Sequence, residues 1–334
     1  MRKSIMKIAA VSMVFSLVMG ITSYAGSWQQ SFSGKWWKND DGSYPTSGWQ
    51  WIDDKNDGFA SSYYFDEKGY VVTNTTTPDG YTVNEEGEWT VDGIVQSKKV
   101  EIKGSVSHVQ DPDSKLLIGT MTSEGDRDWK YYLYVPENAT ENMPLIVTLH
   151  GEAMKAREFS RLKESGLENY LATGKMSGIP AYILIPHFDS SYAYGSKTEV
   201  FARMAQLVAK EFNLDTNRIS IMGGSAGGAG TYKICADYPD LFSCGVPVVA
   251  LSYEGLAPRY VEKLKNVPMW FINEDTAEAK HRGDNAVKGF ENIGGQAWNT
   301  VVPNSSHGSA PDLLFEGGVD HYGFLSWMIT QTAN

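Results

Sequence analysis

A single serine, Ser225, lies in the run SIMGGSAGGAG with Gly223 and Gly227 two residues to either side, and no other Gly-x-Ser-x-Gly occurs in the chain. A serine hydroxyl is a weak nucleophile until a neighbouring base takes its proton and a carboxylate orients that base. The apolar stretch ISIM precedes the run and helix-forming residues follow it, so Ser225 falls where a strand turns into a helix. Such a reversal holds the serine at positive φ and presses the flanking backbones together, which accounts for the missing side chains around one hydroxyl. The competing chemistry, a phosphate cradle at the helix start, needs a Lys-Ser/Thr pair after the glycines and a ribose-binding acid, and neither is present.

The partners of such a serine should follow it in the order carboxylate, then histidine. Asp275 closes VPMWFINED just past one apolar run, and His307 lies in PNSSHGS just past the last one. Both positions are carboxyl ends of strands, the edge from which Ser225 emerges. Glu274 is adjacent to Asp275, and either could instead cap the next helix. His281 is too near the acid, and His321 is placed to open the terminal helix, so His307 is the expected base. The oxyanion of an acyl-transfer intermediate needs backbone donors. Ala226 follows the nucleophile, and Gly151 or Glu152 follows the strand LIVTLHG, which makes these the expected pair of N–H groups. This chemistry calls for no metal and no cofactor.

Short apolar runs alternate with amphipathic stretches from about Tyr131 onward: YYLYV, LIVTLHG, AYILI, ISIMG, GVPVVA, VPMWFI and WNTVV. Helices are expected near 159–171, 200–212, after Ala226, near 285–292 and at about 322–329. That alternation predicts an α/β fold, a mostly parallel sheet with helices on both faces. LIVTLHG, DTNRISIMGGSAGG with YPDLFSCGVPV, and VPMWFINED together resemble the α/β-hydrolases, and among them secreted esterases and polyhydroxybutyrate-depolymerase-like or peptidase-like enzymes. The resemblance runs from about Leu117 to the C-terminus and implies a Ser225–His307–Asp275 triad working through an acyl-enzyme. Two departures stand out: no His-Gly pair precedes the acid, and HGE replaces a glycine-rich oxyanion run. Only sixteen residues separate GVPVVA from VPMWFI. That is too few for a large lid, so an open cleft admitting bulky or polymeric substrates is expected.

The chain opens differently. Six of its ten tryptophans and five tyrosines fall between Trp28 and Trp89, and one phrase recurs as WWKNDDGSY, YYFDEKGY and YTVNEEGEW. Aromatics flanking an acidic turn with glycine predict a small all-β module of stacked hairpins. DDKNDG, residues 53–58, reads as one more turn: Lys55 and Tyr64 occupy positions where a calcium loop needs oxygen ligands. The stretch from Trp36 to Trp89 resembles the choline-binding and glucan-binding repeats of Gram-positive surface proteins. The resemblance implies aromatic cages for choline or sugar rings, with Trp36, Trp37, Trp49, Trp51, Tyr63, Tyr64 and Trp89 as candidates, each of which could equally pack hairpins together.

Arg2, Lys3 and Lys7 precede an apolar stretch ending in SYA, the pattern of a secretory signal cleaved after Ala25. The run is short for a membrane span. Three segments result: a signal at 1–25, hairpin repeats at 26–98 and a catalytic domain at 99–334. The 334 residues carry 40 acidic groups against 29 basic ones, three of the latter in the signal, so nucleic acid and anionic membranes are poor partners. Cys235 and Cys244, the only cysteines, could pair after export or remain as buried thiols, and spacing does not decide. The expected protein is a secreted serine esterase held on a Gram-positive wall polymer and acting on acylated polysaccharide or similar esters. A peptidase of the same fold, or a surface-binding protein with an inactive hydrolase domain, are the alternatives.

Overall fold

The computed structural model describes residues 26–122, 128–154, 157–188, 197–250 and 258–333. The segment expected to be a secretory signal (1–25), and the part of the 251–266 connection on which the open-cleft expectation turns (251–257), lie outside the described residues. The chain divides into two compact units: residues 1–54 with 61–97, and residues 55–60 with 98–334.

The first unit is built of hairpins, Gly26–Ser31 with Gly34–Asn39 and Gly48–Ile52 with Phe59–Phe65, followed by a four-stranded antiparallel ribbon from Thr75 to Val95. One turn design recurs. Gly42, Gly69, Gly80 and Gly87 sit at φ between +83° and +92°, and each donates its N–H to the carbonyl three residues earlier. The residue at that earlier position also works through its side chain: Asp66 Oδ1 accepts from the N–H groups of Lys68 and Tyr70, and Asn84 Oδ1 from those of Glu86 and Glu88. A short polar acceptor first and a glycine fourth thus fix each reversal. The core is aromatic, with Trp37, Ile52, Tyr63, Phe65 and Val71 buried together and Trp28 packed against them.

The second unit carries a nine-stranded mixed sheet. In chain order its strands are β1 (Val106–Gln110), β2 (Leu117–Met121), β3 (Trp129–Tyr134), β4 (Leu145–Leu149), β5 (Tyr182–Pro186), β6 (Ile219–Gly224), β7 (Gly245–Val248), β8 (Met269–Glu274) and β9 (Ala297–Val302). Their spatial order is β1-β2-β3-β5-β4-β6-β7-β8-β9, antiparallel as far as β5 and parallel from there to β9. The helices are α1 (Gly166–Thr173), α2 (Thr198–Glu211), α3 (Ala226–Asp237), α4 (Pro258–Lys263), α5 (Ala277–Asn292), α6 (Ala310–Leu313) and α7 (Phe324–Met328). This is the α/β-hydrolase architecture. Alternate residues of the central strands enter two separate cores: Leu145, Val147 and Leu149 pack with α2, α3 and α5, while Ile146, Ile183 and Ile185 pack with α1 and α7. Burial on both faces explains why these strands read as unbroken apolar runs. Helix α2 presents Val200, Phe201, Met204, Ala205 and Val208 at helical spacing to the first core, each large side chain contributing roughly 1.5–3 kcal/mol by its burial.

Two helices differ from expectation. The stretch expected as one helix over 159–171 is a 3₁₀ segment, Phe159–Lys163, followed by α1, because Gly166 at φ +62° breaks the path. Helix α5 begins at Ala277 rather than near Asn285, since Thr276 caps it by accepting from the Ala279 N–H at 3.1 Å. Cys235 and Cys244 are buried free thiols, and burial pushes both well above the ordinary thiol range. Among the described residues, no helix is long and apolar enough to cross a membrane, and no group of three or more His, Cys, Asp or Glu side chains is placed to hold a metal.

Candidate active site

Strand β6 ends at Gly224 and α3 starts at Ala226, leaving Ser225 alone at the turn with φ +56° and ψ −113°. The serine is pinned from both sides: its N–H donates to Val248 O at 2.9 Å, and its carbonyl accepts from the Ala229 N–H. Bare glycines are required around it. A Cβ on Gly227 would stand 2.2 Å from Leu149 O and 2.8 Å from His150 O, and one on Gly223 would meet the Gly227 backbone at 2.6 Å. These are backbone atoms of β4 and of the elbow itself, so no rotamer change relieves the contact. Gly227→Ala is therefore expected to cost at least about 3 kcal/mol of stability, read as a lowered urea midpoint.

Strand β9 ends at Val302, and the loop after it brings His307 back over the elbow. His307 Nε2 lies 3.0 Å from Ser225 Oγ, the arrangement needed for proton transfer from serine to imidazole. The other ring nitrogen, Nδ1, is buried and has no hydrogen-bond partner. Asp275 does not reach it. The Asp275 carboxylate is exposed and accepts the Asn304 N–H at 2.8 Å through Oδ2, while the Asp275 N–H donates to Ser305 Oγ at 3.2 Å. The end of β8 thus holds the root of the His307 loop rather than the imidazole. Glu274, one residue earlier on the strand, points to the opposite side, where it is buried against Arg282. His281 lies on α5 beside Asn285, and His321 bonds Glu316 O; neither faces the serine.

The oxyanion candidates are close by. Ala226 opens α3, so its N–H belongs to the first turn of that helix, whose amides have no partner within the helix. Gly151 lies against the elbow, its Cβ direction meeting Gly224 O at 3.4 Å and Ser225 Cβ at 3.6 Å. Glu152 opens a 3₁₀ turn, Glu152–Met154. His150, which the sequence pattern did not single out, fixes this segment. Its Nε2 accepts the Phe188 N–H at 3.1 Å, which makes Nδ1 the protonated nitrogen and lets it donate to Gly151 O at 2.9 Å. Burial lowers the His150 pKa and favours this neutral form. Because the peptide is planar, directing Gly151 O at His150 turns the Glu152 N–H the opposite way. A cavity of about 170 Å³ opens beside Ser225, with a mostly apolar wall.

In the hairpin unit the candidate ring residues separate into two groups. Trp37 and Tyr63 are only 2% and 3% exposed and pack with Trp28 and Phe65, which corrects their assignment as ligand contacts: no ring face is left for a ligand. Trp36 packs edge-on against Tyr70. Trp49, Trp51, Tyr64 and Trp89 form a second cluster, joined by Tyr81, which sequence reading missed as a ring wall although it opens one of the repeated phrases. Trp49, Tyr81 and Trp89 lie within 5.5–6.2 Å of one another, steeply inclined, with Tyr81 48% exposed. Asp79 steadies Trp49 by accepting its indole N–H at 2.8 Å.

The second unit has the α/β-hydrolase fold with a serine at its elbow, and the first is an aromatic hairpin module. The prolyl oligopeptidase family matches residues 195–254, around the elbow, and the choline-binding repeat matches residues 49–89. Acetylxylan esterase A of Aspergillus oryzae is 27% identical over 124 residues, 35% of this chain and 40% of the relative. Feruloyl esterase B of Thermothelomyces thermophilus is 26% identical over 124 residues, 34% of this chain and 41% of the relative. The chain spans about 40% of the length of the curated relatives it matches. Among solved structures, a thermostable esterase is similar with a TM-score of 0.48 and 20% identity, over 77% of this chain and 69% of that one.

Proposed function

We propose that this chain is a secreted serine esterase, attached to a cell-wall polymer of a Gram-positive bacterium and acting on acylated polysaccharide or similar esters. The observation that carries the reading is the 3.0 Å contact between His307 Nε2 and Ser225 Oγ on a strained elbow. Ser225 Oγ attacks the ester carbonyl as its proton passes to His307 Nε2. The resulting oxyanion meets the N–H of Ala226 and that of Gly151 or Glu152. Collapse breaks the bond to the alcohol, which leaves with the proton from His307, and an acyl-Ser225 remains. Water then attacks that ester, giving its proton to His307, and Ser225 is released with the free acid. Asp275 serves His307 by holding its loop. The relatives named acetylxylan esterase and feruloyl esterase support an acylated polysaccharide or a similar ester as the substrate class.

A second reading, a peptidase, is favoured by the prolyl oligopeptidase match at residues 195–254. Turnover of p-nitrophenyl acetate against peptide p-nitroanilides separates the two. Faster ester cleavage is expected, and faster anilide cleavage defeats the esterase reading.

For the hairpin unit we propose a choline or glycan site at Trp49, Tyr81 and Trp89, three inclined rings of the kind that surround a quaternary ammonium. Trp89→Ala is expected to weaken choline binding, measured by calorimetry, about tenfold or more, because one cation-π wall is lost. Unchanged affinity would remove this cage from consideration. Trp51 and Tyr64 border the same cluster and serve it as supporting walls.

A further inference from the structure

The cavity beside Ser225 carries a polar feature that acyl transfer does not use. Its wall is apolar at Leu162, Leu167, Met222, Leu314 and Phe315, yet Glu168 and Asp312 also line it. Glu168 stands in the first turn of α1, where its Oε1 accepts the Thr148 hydroxyl at 3.0 Å. Its other oxygen and Asp312 Oδ1 converge over Gly166: a Cβ placed there would lie 3.2 Å from Glu168 Oε2 and 3.7 Å from Asp312 Oδ1. The missing side chain at Gly166 thus leaves open the space between the two carboxyl groups.

We propose that Glu168, with Asp312 beside it, is a specificity determinant that recognises a hydroxyl on the part of the ester entering this cavity. A hydroxyl both donates and accepts. It can therefore accept from a protonated Glu168 while donating to Asp312 Oδ1, which a hydrocarbon group or a carboxylate cannot do. Burial raises the Glu168 pKa, with the neighbouring Asp312 charge adding to the effect, and so favours the hydrogen-donating form. A helix-capping role alone would place the Glu168 side chain on the Ser165 N–H; the contact made is instead across to Thr148 on β4.

The inference rests on the serine esterase reading, so its test carries an internal control. The full chain, Glu168→Leu and Glu168→Gln are assayed on p-nitrophenyl acetate and on two matched pairs. One pair, p-nitrophenyl 3-hydroxybutyrate against the butyrate, places the hydroxyl on the acid side. The other, acetylated methyl xyloside against cyclohexyl acetate, places it on the alcohol side. The wild type is expected to prefer the hydroxylated member of one pair, which identifies the side that enters the cavity. Glu168→Leu should lower kcat/KM for that ester about 10- to 100-fold with p-nitrophenyl acetate turnover within about threefold, and Glu168→Gln should keep the preference. A wild type with no preference in either pair, or a Leu variant that slows all esters equally while Gln behaves like Leu, overturns the role of Glu168 but leaves the esterase standing. A wild type that cleaves none of these esters overturns the esterase reading and this inference with it.

Discussion

Ser225→Ala is expected to lower kcat on p-nitrophenyl acetate by about a million-fold while choline affinity stays at the wild-type value. The expected loss is large because the serine and histidine act as one unit: without the hydroxyl there is no acyl-enzyme, and His307 has nothing to deprotonate. What remains is the background from the oxyanion donors and substrate binding. The same variant should lose fluorophosphonate labelling, which reports the nucleophile independently of the substrate chosen. The fold should survive, since alanine can still donate its N–H to Val248 O and accept the Ala229 N–H, the backbone hydrogen bonds that hold residue 225 in place. A variant retaining more than about one part in a thousand of the activity, with labelling intact, would place the nucleophile elsewhere.

The elements that carry this site are largely legible in the sequence, and for a physical reason. Parallel strands covered on both faces appear as unbroken apolar runs, and the residue just past each run lies on one edge of the sheet. Ser225 directly follows one such strand and His307 lies in the loop after another, and 82 positions of sequence collapse to 3.0 Å. Cues that depend on the third dimension are harder to read. Trp37 and Trp49 both sit in aromatic strands, but only the packing of Trp28, Tyr63 and Phe65 shows that the first is core. Helix α5 begins eight residues early because a threonine cap outweighs the polar sequence TAEAKHRGDN. His150 is read from sequence as part of a strand end, and its role as the pin of Gly151 depends on the Phe188 N–H, 38 residues away. Glu168 and Thr148 meet in the same way, across β4 and α1, and no spacing rule connects them.

The same distinction decides what Asp275 does. Its place after β8 matches that of a triad acid, but its carboxylate is bonded to the Asn304 N–H and His307 Nδ1 is left without a partner. An acid that binds the imidazole directly sets its tautomer, and replacing it by the amide then costs about 10⁴ in kcat. An acid that only anchors the loop can be replaced by asparagine, whose side-chain oxygen still accepts the Asn304 N–H. The geometry supports the second role, so Asp275→Asn is expected to keep kcat within about tenfold of wild type, and Asp275→Ala to lose about a hundredfold as the loop root loosens and His307 drifts from Ser225. Steady-state kinetics on p-nitrophenyl acetate with the two variants side by side makes the distinction. If Asn is as damaging as Ala, and both approach 10⁴, the carboxylate swings onto Nδ1 during turnover and the loop contact seen here is its resting position.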